Sequence, residues 1–190
     1  ALSNTVFEGT PEKADIIIVT KSDLAKSFNL GSEYSSVKSE GFIIRKVSGG
    51  RIVILAKDQT GAMYGIMDIS EQMQMGKTLS TIKEKTIIPT TEFRGIKFNL
   101  PWNSYRTDQS LQIHESTIRD LKFWKEFFNM MADNHFNAIT LWNLHPFTYM
   151  IRAKNFPEAC PWSDTESKKW QEFWHGLFRI ASERGATLKL

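Results

Sequence analysis

The second half of the chain alternates short apolar segments with amphipathic ones, and this alternation limits the folds open to it. Residues 94–100, 138–142 and 186–190 have the pattern of strands. Two helical patterns lie between them, each with apolar residues at spacings of 3, 4 and 3: Leu121, Trp124, Phe128 and Met131 in the first, and Trp170, Phe173, Leu177 and Ile180 in the second. Strands joined through helices run parallel, because each helix carries the chain back to the end of the sheet where the preceding strand began. The order β-α-β-α-β therefore predicts a parallel sheet.

Loop lengths in this half favour a β/α barrel. Loops of about 15 and about 20 residues follow the first two predicted strands, whereas the turns after the helices are short. Long loops on one side are typical of the face of a barrel that carries the active site. A complete barrel takes about 250 residues, so three strands cannot close one. We therefore expect residues 90–190 to be the incomplete N-terminal part of a TIM-type (β/α)8 catalytic barrel, and the chain to be a piece of a longer protein.

Helix boundaries in this half are marked by capping residues. The first helix is predicted from about Ser116 to Asn134. Ser163 and Glu166 fit a capping box at the start of the second, because a Ser N-cap and a Glu three residues later satisfy each other's backbone donors. Gly185 is expected to end that helix.

Residues 1–89 have a different pattern, which predicts a small α+β domain. Residues 14–19 form a β-branched strand, and residues 41–47 and 51–57 form two strands joined by Ser48, Gly49 and Gly50 as a hairpin. A helix follows, with Ala62, Ile66, Ile69 and Met73 on its apolar face and Gly76 at its C-terminal cap. Residues 78–88 are a weaker strand. This order predicts a mixed or antiparallel sheet with one face covered by the helix.

Composition argues against several classes of protein. The formal net charge of +3 is small and its basic residues are scattered, which argues against a nucleic-acid partner. No apolar run approaches the roughly 20 residues of a membrane span. The single cysteine and the four histidines, at positions 114, 135, 145 and 175, lack metal-ligand spacing. The sequence TGAMYG lacks the Gly-Lys-Ser/Thr ending of a phosphate loop. No metal site and no cofactor are predicted, and the oligomeric state stays open.

A motif in residues 40–73 resembles a known domain. A strand begins with Gly-Phe, a hairpin follows, the next strand ends in Ala-x-Asp, and Gly-x-x-Tyr-Gly opens a helix. The residues that carry this pattern are Gly41, Phe42, Ala56, Asp58, Gly61, Tyr64 and Gly65. The motif resembles the small N-terminal accessory domain of hexosaminidase-like glycoside hydrolases. In those enzymes a Pro and an Arg-Gly lead into the first barrel strand, as Pro89, Arg94 and Gly95 do here, and the resemblance spans residues 14–145.

Two families are the natural comparisons, glycoside hydrolase family 20 (β-hexosaminidases) and family 67 (α-glucuronidases). Where family 20 carries an Asp and then a substrate-binding Arg after Arg-Gly, this chain has Asn99 and Trp102. Where family 20 often has His-Trp-His, this chain has Leu141, Trp142 and Asn143. These differences weigh against an N-acetylhexosamine clamp, and the Asn-rich strand ends are closer to the α-glucuronidases. Both families place their acid/base carboxylates later in the barrel, so no catalytic residue is assigned in this chain.

Candidate substrate-binding residues lie at the two predicted strand ends: Asn99, Trp102, Asn103, Tyr105 and Arg106 after the first, and Trp142, Asn143 and His145 after the second. Aromatic rings suit the apolar face of a sugar, and amides pair with its hydroxyls. An arginine would pair with the carboxylate of a uronic acid, and a histidine would donate a proton or bind the sugar. The competing interpretations are loop packing and turn capping.

The resemblance implies that the full-length protein is a secreted or periplasmic glycoside hydrolase that uses two carboxylates. Its carbohydrate substrate would be a polysaccharide or oligosaccharide, with a uronic-acid-containing glycan as one candidate, and the fragment alone is expected to be inactive. A non-catalytic carbohydrate-binding protein on the same scaffold and a β-N-acetylhexosaminidase stay open as alternatives. An unrelated doubly wound α/β domain is disfavoured, because the phosphate-binding glycine loop after a first strand is missing. Asp or Glu at the later strand ends would separate an enzyme from a binding protein.

Overall fold

The structure is a computed structural model that describes residues 14–101, 113–142 and 146–189. The chain divides into two compact units, Ala1–Thr90 and Thr91–Leu190.

The first unit contains a four-stranded mixed sheet. Its strands are β1 (Ile16–Val19), β2 (Phe42–Val47), β3 (Arg51–Ala56) and β4 (Lys85–Ile87), in the order β1-β3-β2-β4. β1 lies parallel to β3, whereas β2 is antiparallel to both β3 and β4. The β2–β3 hairpin turns through Ser48–Gly50, where Gly49 and Gly50 adopt φ of +81° and +73°. The predicted hairpin and the mixed sheet are confirmed.

Helices cover both faces of this sheet, so the prediction of a single covered face was wrong. The helices are α1 (Ser22–Ser27), α2 (Gly31–Ser36) and α3 (Gln59–Gln74). On one face, Val53 and Leu55 share a buried cluster with Ala25 and Tyr34 of α1 and α2. On the other face, α3 packs against β2 and β3. The sequence did not predict α1 and α2, because each has only six, mostly polar residues and shows no helical periodicity. The unbroken apolar run of β3 was the available signal, since it is typical of strands buried on both sides.

The predicted apolar face of helix α3 is buried only in part, because Ala62 and Ile69 are buried but the buried side is shifted toward the glycines. Ile66 is 44% exposed, whereas Gly61 and Gly65 are buried. A Cβ on Gly65 would lie 2.5 Å from Ile54 Cγ2, and one on Gly61 would overlap the carbonyl oxygen of Gly41. The glycine face therefore meets the sheet because only residues without a side chain allow so close an approach. Gly76, at φ +86°, follows the last residues of the helix, as predicted.

The predicted strand over residues 78–88 is shorter in the structure and spans Lys85–Ile87. Side chains of α3 and β2 form hydrogen bonds with the backbone that precedes it. Leu79–Thr81 instead forms a short 3-10 turn. The buried Gln72 side chain accepts a hydrogen bond from the Lys83 N–H at 2.8 Å and donates one to Asp68 at 2.7 Å. Asp68 in turn forms an ion pair with Lys85. This polar network holds the segment against α3 in place of a longer β ladder.

The second unit contains a three-stranded parallel sheet, as predicted. Its strands are β5 (Gly95–Asn99), β6 (Ala138–Trp142) and β7 (Thr187–Lys189), in that order, and both pairings are parallel. The helices α4 (Glu115–Ile118), α5 (Leu121–Asp133) and α6 (Asp164–Glu183) lie between the strands in sequence. The β-α-β-α-β alternation is therefore present.

The prediction of a single helix over residues 116–134 was wrong, because the helix is interrupted between α4 and α5. The Asp120 side chain accepts a hydrogen bond from the Lys122 N–H at 2.9 Å and so caps α5 anew. The Trp124 indole N–H donates to the Ile118 carbonyl at 2.6 Å and so uses an oxygen at the end of α4. Side-chain hydrogen bonds of this kind compete with a continuous helix.

The core of the second unit lies on one side of its sheet. The predicted apolar faces of α5 and α6 are confirmed, with Trp124, Phe128, Met131, Trp170, Phe173, Leu177 and Ile180 all buried. The strand residues packed with them are Ile96, Phe98, Ile139, Leu141 and Leu188. A Cβ on Gly176 would overlap Leu121, so α5 and α6 also pack closely. Ser163 caps α6 by accepting from the Glu166 N–H at 3.2 Å, but the Glu166 carboxylate pairs with Arg119 and not with the cap.

The Asp58 carboxylate joins the start of α3 to the turn before β2. One oxygen accepts from the Gly61 N–H, and the other accepts from the Glu40 N–H and the Ser39 hydroxyl, each at 2.8 Å. Burial alone would raise the pKa of Asp58, but these hydrogen bonds outweigh it and hold the pKa below its ordinary value of 3.8. The stabilising contribution of the carboxylate is therefore present above pH 3.8 and is lost as the pH falls through the lower folded-state pKa.

We predict that Asp58→Asn lowers the free energy of unfolding by about 1–2 kcal/mol at pH 7, because one amide oxygen cannot replace two carboxylate oxygens and the Glu40 N–H would face an NH2 group. The difference from the wild type should shrink as the pH falls below about 4. Urea unfolding at several pH values measures both effects. Asp23→Asn is the matched control, because Asp23 is an exposed carboxylate paired with Lys26. A pH-independent difference would contradict the assigned role of the carboxylate.

Candidate functional site

The parallel sheet of the second unit has one face opposite the helices, which we call the polar face. It carries Gly95, Lys97 and Asn99 of β5, Ala138, Thr140 and Trp142 of β6, and Thr187 and Lys189 of β7. The pairing register aligns Lys97 with Thr140 and Lys189, and Asn99 with Trp142. Lys97, Asn99, Trp142 and Lys189 are exposed in the described part of the chain. Side chains alternate between the two faces of a strand, so burying Ile96 and Phe98 against helices turns Lys97 and Asn99 to the polar face.

Asn99 and Trp142 meet at the carboxyl ends of their strands. They are the last register pair of β5 and β6, and the Leu100 N–H continues the ladder by donating to the Trp142 carbonyl at 2.8 Å. The Asn99 side-chain amide makes no hydrogen bond to another described residue. Trp142 is 39% exposed, which is unusual for the largest apolar side chain. The structure therefore brings these two predicted binding residues together.

The remaining predicted binding residues lie outside the described residues. They are Trp102, Asn103, Tyr105, Arg106, Asn143 and His145. Each of them follows Asn99 or Trp142 in sequence, and these two residues are the last of β5 and β6. Their assignment as substrate-binding residues stays a prediction.

Lys97 lies beside Asn99 and Trp142 on the polar face, and the sequence analysis did not predict it as a candidate. Its ammonium nitrogen lies 5.4 Å from the centroid of the Trp142 ring, a cation–π distance. The signal that would have found it is the alternation within β5, because Lys97 shares a face with Asn99 and not with Ile96 or Phe98.

The polar face is positively charged. The strands GIKFN, AITLW and TLK contain no Asp or Glu, whereas they contain Lys97 and Lys189. Phe93 closes the amino-terminal end, where its ring lies against Gly95 and under the Lys189 ammonium, 4.9 Å from the ring centroid. The face can offer amide hydrogen bonds, an aromatic surface and a cation. It offers no carboxylate for acid/base work on these strands.

A cluster of aromatic residues around Tyr149 has a packing role. The Tyr149 ring contacts Trp162 and Trp170 at centroid distances of 5.2 and 4.8 Å, and the Trp174 indole donates to the Tyr149 carbonyl at 2.9 Å. Burial raises the pKa of Tyr149, the Glu115 charge adds to this, and Arg119 opposes it. These contacts fasten the segment to α6 rather than leaving its rings available for a ligand.

Arg119 and Glu166 form an ion pair beside that aromatic cluster. The guanidinium lies 4.0 Å from the Trp170 ring centroid and bonds to the Glu166 carboxylate at 2.9 Å. This bond lowers the pKa of Glu166, with Lys169 contributing further. An ionised, paired carboxylate of this kind has a structural role and is a poor proton donor at neutral pH.

Among the described residues, no group of three or more His, Cys, Asp or Glu side chains is arranged to hold a metal ion. None of the described helices combines the length and the apolar character of a membrane span.

Comparisons with known proteins give matches by structure alone. Neither the models of protein families nor the curated protein sequences give a match. Among solved structures, a GH138 enzyme that targets pectin rhamnogalacturonan II superposes with a TM-score of 0.67 at 20% identity over 91% of this chain. A β-N-acetylhexosaminidase from Bacteroides fragilis superposes with a TM-score of 0.56 at 16% identity over 93% of this chain.

These neighbours confirm the resemblance to glycoside hydrolases, including a hexosaminidase, at the level of the fold. The chain spans 24% of the first neighbour and 33% of the second. Neither name is that of an α-glucuronidase, so the family 67 resemblance stays a prediction. At these identities the likeness concerns the fold and leaves the substrate undetermined.

We predict that Trp142→Ala lowers the free energy of unfolding of this chain by less than about 1 kcal/mol, because its ring is part-exposed and its contact with Lys97 is a surface cation–π contact. Leu141→Ala, one residue earlier and on the helix side, should cost about 2–5 kcal/mol by leaving a core cavity. Urea unfolding of both variants measures the contrast. Equal losses would mean that Trp142 is a core residue and that the polar face is not an open surface.

Proposed function

We propose that this chain is the accessory domain and the first barrel strands of a glycoside hydrolase. The observation that carries the proposal is the parallel sheet β5-β6-β7, which buries one face under helices and leaves the other polar, aromatic and cationic. The likeness in fold to two glycoside hydrolases, over 91% and 93% of this chain, supports it. In a (β/α)8 barrel the helices lie outside and the opposite strand faces point inward, which is the division seen here.

The barrel geometry gives the strand ends their function. Active sites of such barrels are built at the carboxyl ends of the strands, where Asn99 and Trp142 are paired. The segments that carry Trp102, Asn103, Tyr105 and Arg106, and then Asn143 and His145, start at those ends. We propose that they form part of the substrate pocket, with rings stacking on sugar faces and amides pairing with hydroxyls.

The proposed substrate is a polysaccharide or oligosaccharide, with a uronic acid among its units. Arg106 is predicted to pair with such a carboxylate. One structural neighbour targets rhamnogalacturonan II, which supports a polysaccharide substrate for this chain as well. A secreted or periplasmic protein would meet substrates of this kind, and that location is part of the proposal.

The proposed mechanism needs two carboxylates that this chain does not place at its strand ends. One protonates the leaving glycosidic oxygen, and the other acts as a nucleophile or activates water. β5, β6 and β7 carry neither Asp nor Glu, and in this proposal the later strands supply both carboxylates. The residues of this chain would bind and orient the sugar, and the isolated fragment would be inactive.

The absence of carboxylates from the three strands also favours a second candidate, a non-catalytic carbohydrate-binding protein on the same scaffold. The two candidates differ in the later strands alone. A full-length protein that binds glycans without cleaving them would establish the second.

We predict that Asn99→Ala in the full-length enzyme lowers kcat/KM about 10- to 100-fold, since a sugar hydroxyl would lose its partner. Trp102→Ala should have an effect of similar size through the loss of a stacking surface. Thr187→Ala is the matched control, because Thr187 shares the polar face but lies at the opposite end of the strands. Glycan hydrolysis and thermal unfolding should be measured together. Unchanged activity in Asn99→Ala, or equal losses in the control, would refute the proposed site.

A further inference from the structure

We infer that Lys97 determines specificity for an acidic sugar, by binding the sugar carboxylate beside Trp142. This inference rests on the proposed function and adds the residue that would recognise the charged unit. Three groups at the carboxyl end of the sheet match three features of a uronic acid. The Lys97 ammonium matches the carboxylate, the Trp142 ring matches the apolar C–H face, and the Asn99 amide matches the hydroxyls.

The direction of the Lys97 side chain supports this role. Lys97 is aligned with Thr140, which lies two residues before Trp142 on β6. Its ammonium nitrogen nevertheless reaches the Trp142 ring, 5.4 Å from the centroid, so the side chain extends toward the carboxyl ends of the strands. The charge is therefore delivered to the end of the sheet where a barrel binds its substrate.

Lys97 has no counter-charge in the described part of the chain. No carboxylate there forms an ion pair with it, and its partner among the described residues is an aromatic ring. Inside a barrel an unpaired ammonium would be costly, so an anion must come from a ligand or from a later strand. An internal ion pair would explain only the charge of Lys97. A ligand also explains the part-exposed ring of Trp142 and the Asn99 amide that has no described partner.

Lys189 provides an internal comparison. It is in register with Thr140 and so lies at the same level of the polar face as Lys97. Its ammonium lies over Phe93, which precedes β5, so this side chain extends toward the amino-terminal end. The two lysines have the same charge, level and face but opposite directions. Of these two, Lys97 is the one placed to meet a substrate at the carboxyl ends.

The test uses the full-length protein and paired ligands that differ only at the carboxylate. Galacturonic acid against galactose, and glucuronic acid against glucose, are the binding probes, measured by titration calorimetry. Acidic oligosaccharides and their carboxyl-reduced forms are the matched substrates for hydrolysis. Lys97→Met removes the charge while keeping a long, unbranched side chain. Lys97→Arg keeps the charge, and Lys189→Met is the matched control.

We expect Lys97→Met to weaken binding and kcat/KM for the acidic ligands about 10- to 100-fold, with less than about a twofold change for the neutral ones. Lys97→Arg should recover most of the loss, and Lys189→Met should leave the acidic-to-neutral ratio at the wild-type value. Thermal unfolding of each variant should be measured in parallel. It separates a change in recognition from a loss of folded protein.

Two results would overturn the inference while leaving the proposed function intact. One is an unchanged acidic-to-neutral ratio in Lys97→Met while glycans are still cleaved. The other is an equal loss for acidic and neutral ligands with a lower melting temperature, which would identify Lys97 as half of an internal ion pair. If the wild-type protein neither binds nor cleaves any of these sugars, the proposed function fails and the role of Lys97 fails with it.

Discussion

One-sided burial of the parallel sheet is the constraint on which the second unit depends. Ile96 and Phe98 of β5 pack with Trp124 and Phe128 of α5, and the same layer continues through β6 and β7. Because successive side chains of a strand point to opposite faces, this packing also decides what the other face displays. Lys97 and Asn99 are on the polar face as a geometric consequence of the core. The apolar layer and the candidate site are therefore two results of one alternation.

The first unit shows why a sequence resemblance can identify a fold without identifying a substrate. The residues that carried the resemblance are packing residues. Gly61 and Gly65 let α3 approach the sheet, and the Asp58 carboxylate caps the helix and holds the turn before β2. The geometry of the domain requires a motif built from close approach and capping. The motif supports the likeness to glycoside hydrolases in fold and gives no information about a substrate.

The candidate site combines a cation, an aromatic ring and an amide at the carboxyl end of two neighbouring strands. Each group alone has an ordinary explanation as a surface residue. Their register within one sheet places them together, and the lack of carboxylates on these strands favours, under the proposed function, binding over proton transfer. By contrast, the rings of Tyr149, Trp162 and Trp170 contact one another and belong to the core. Aromatic content by itself therefore does not distinguish a binding surface from packing.

The sequence alone determined the parallel β-α-β-α-β order, the β2–β3 hairpin and the buried stripes of α5 and α6, because periodicity and turn chemistry are local properties. It also predicted that Asn99 and Trp142 lie at the ends of neighbouring strands, since polar and aromatic residues at strand ends are visible in a linear pattern. Only the tertiary structure decided the break before α5, the glycine face of α3 and the second covered face of the first sheet. These depend on the Asp120 cap, on how close two backbones come and on short helices without periodicity. The contact between Lys97 and Trp142 was decided in the same way, because alternation within β5 gives the face of Lys97 but not the neighbouring side chain that its ammonium meets.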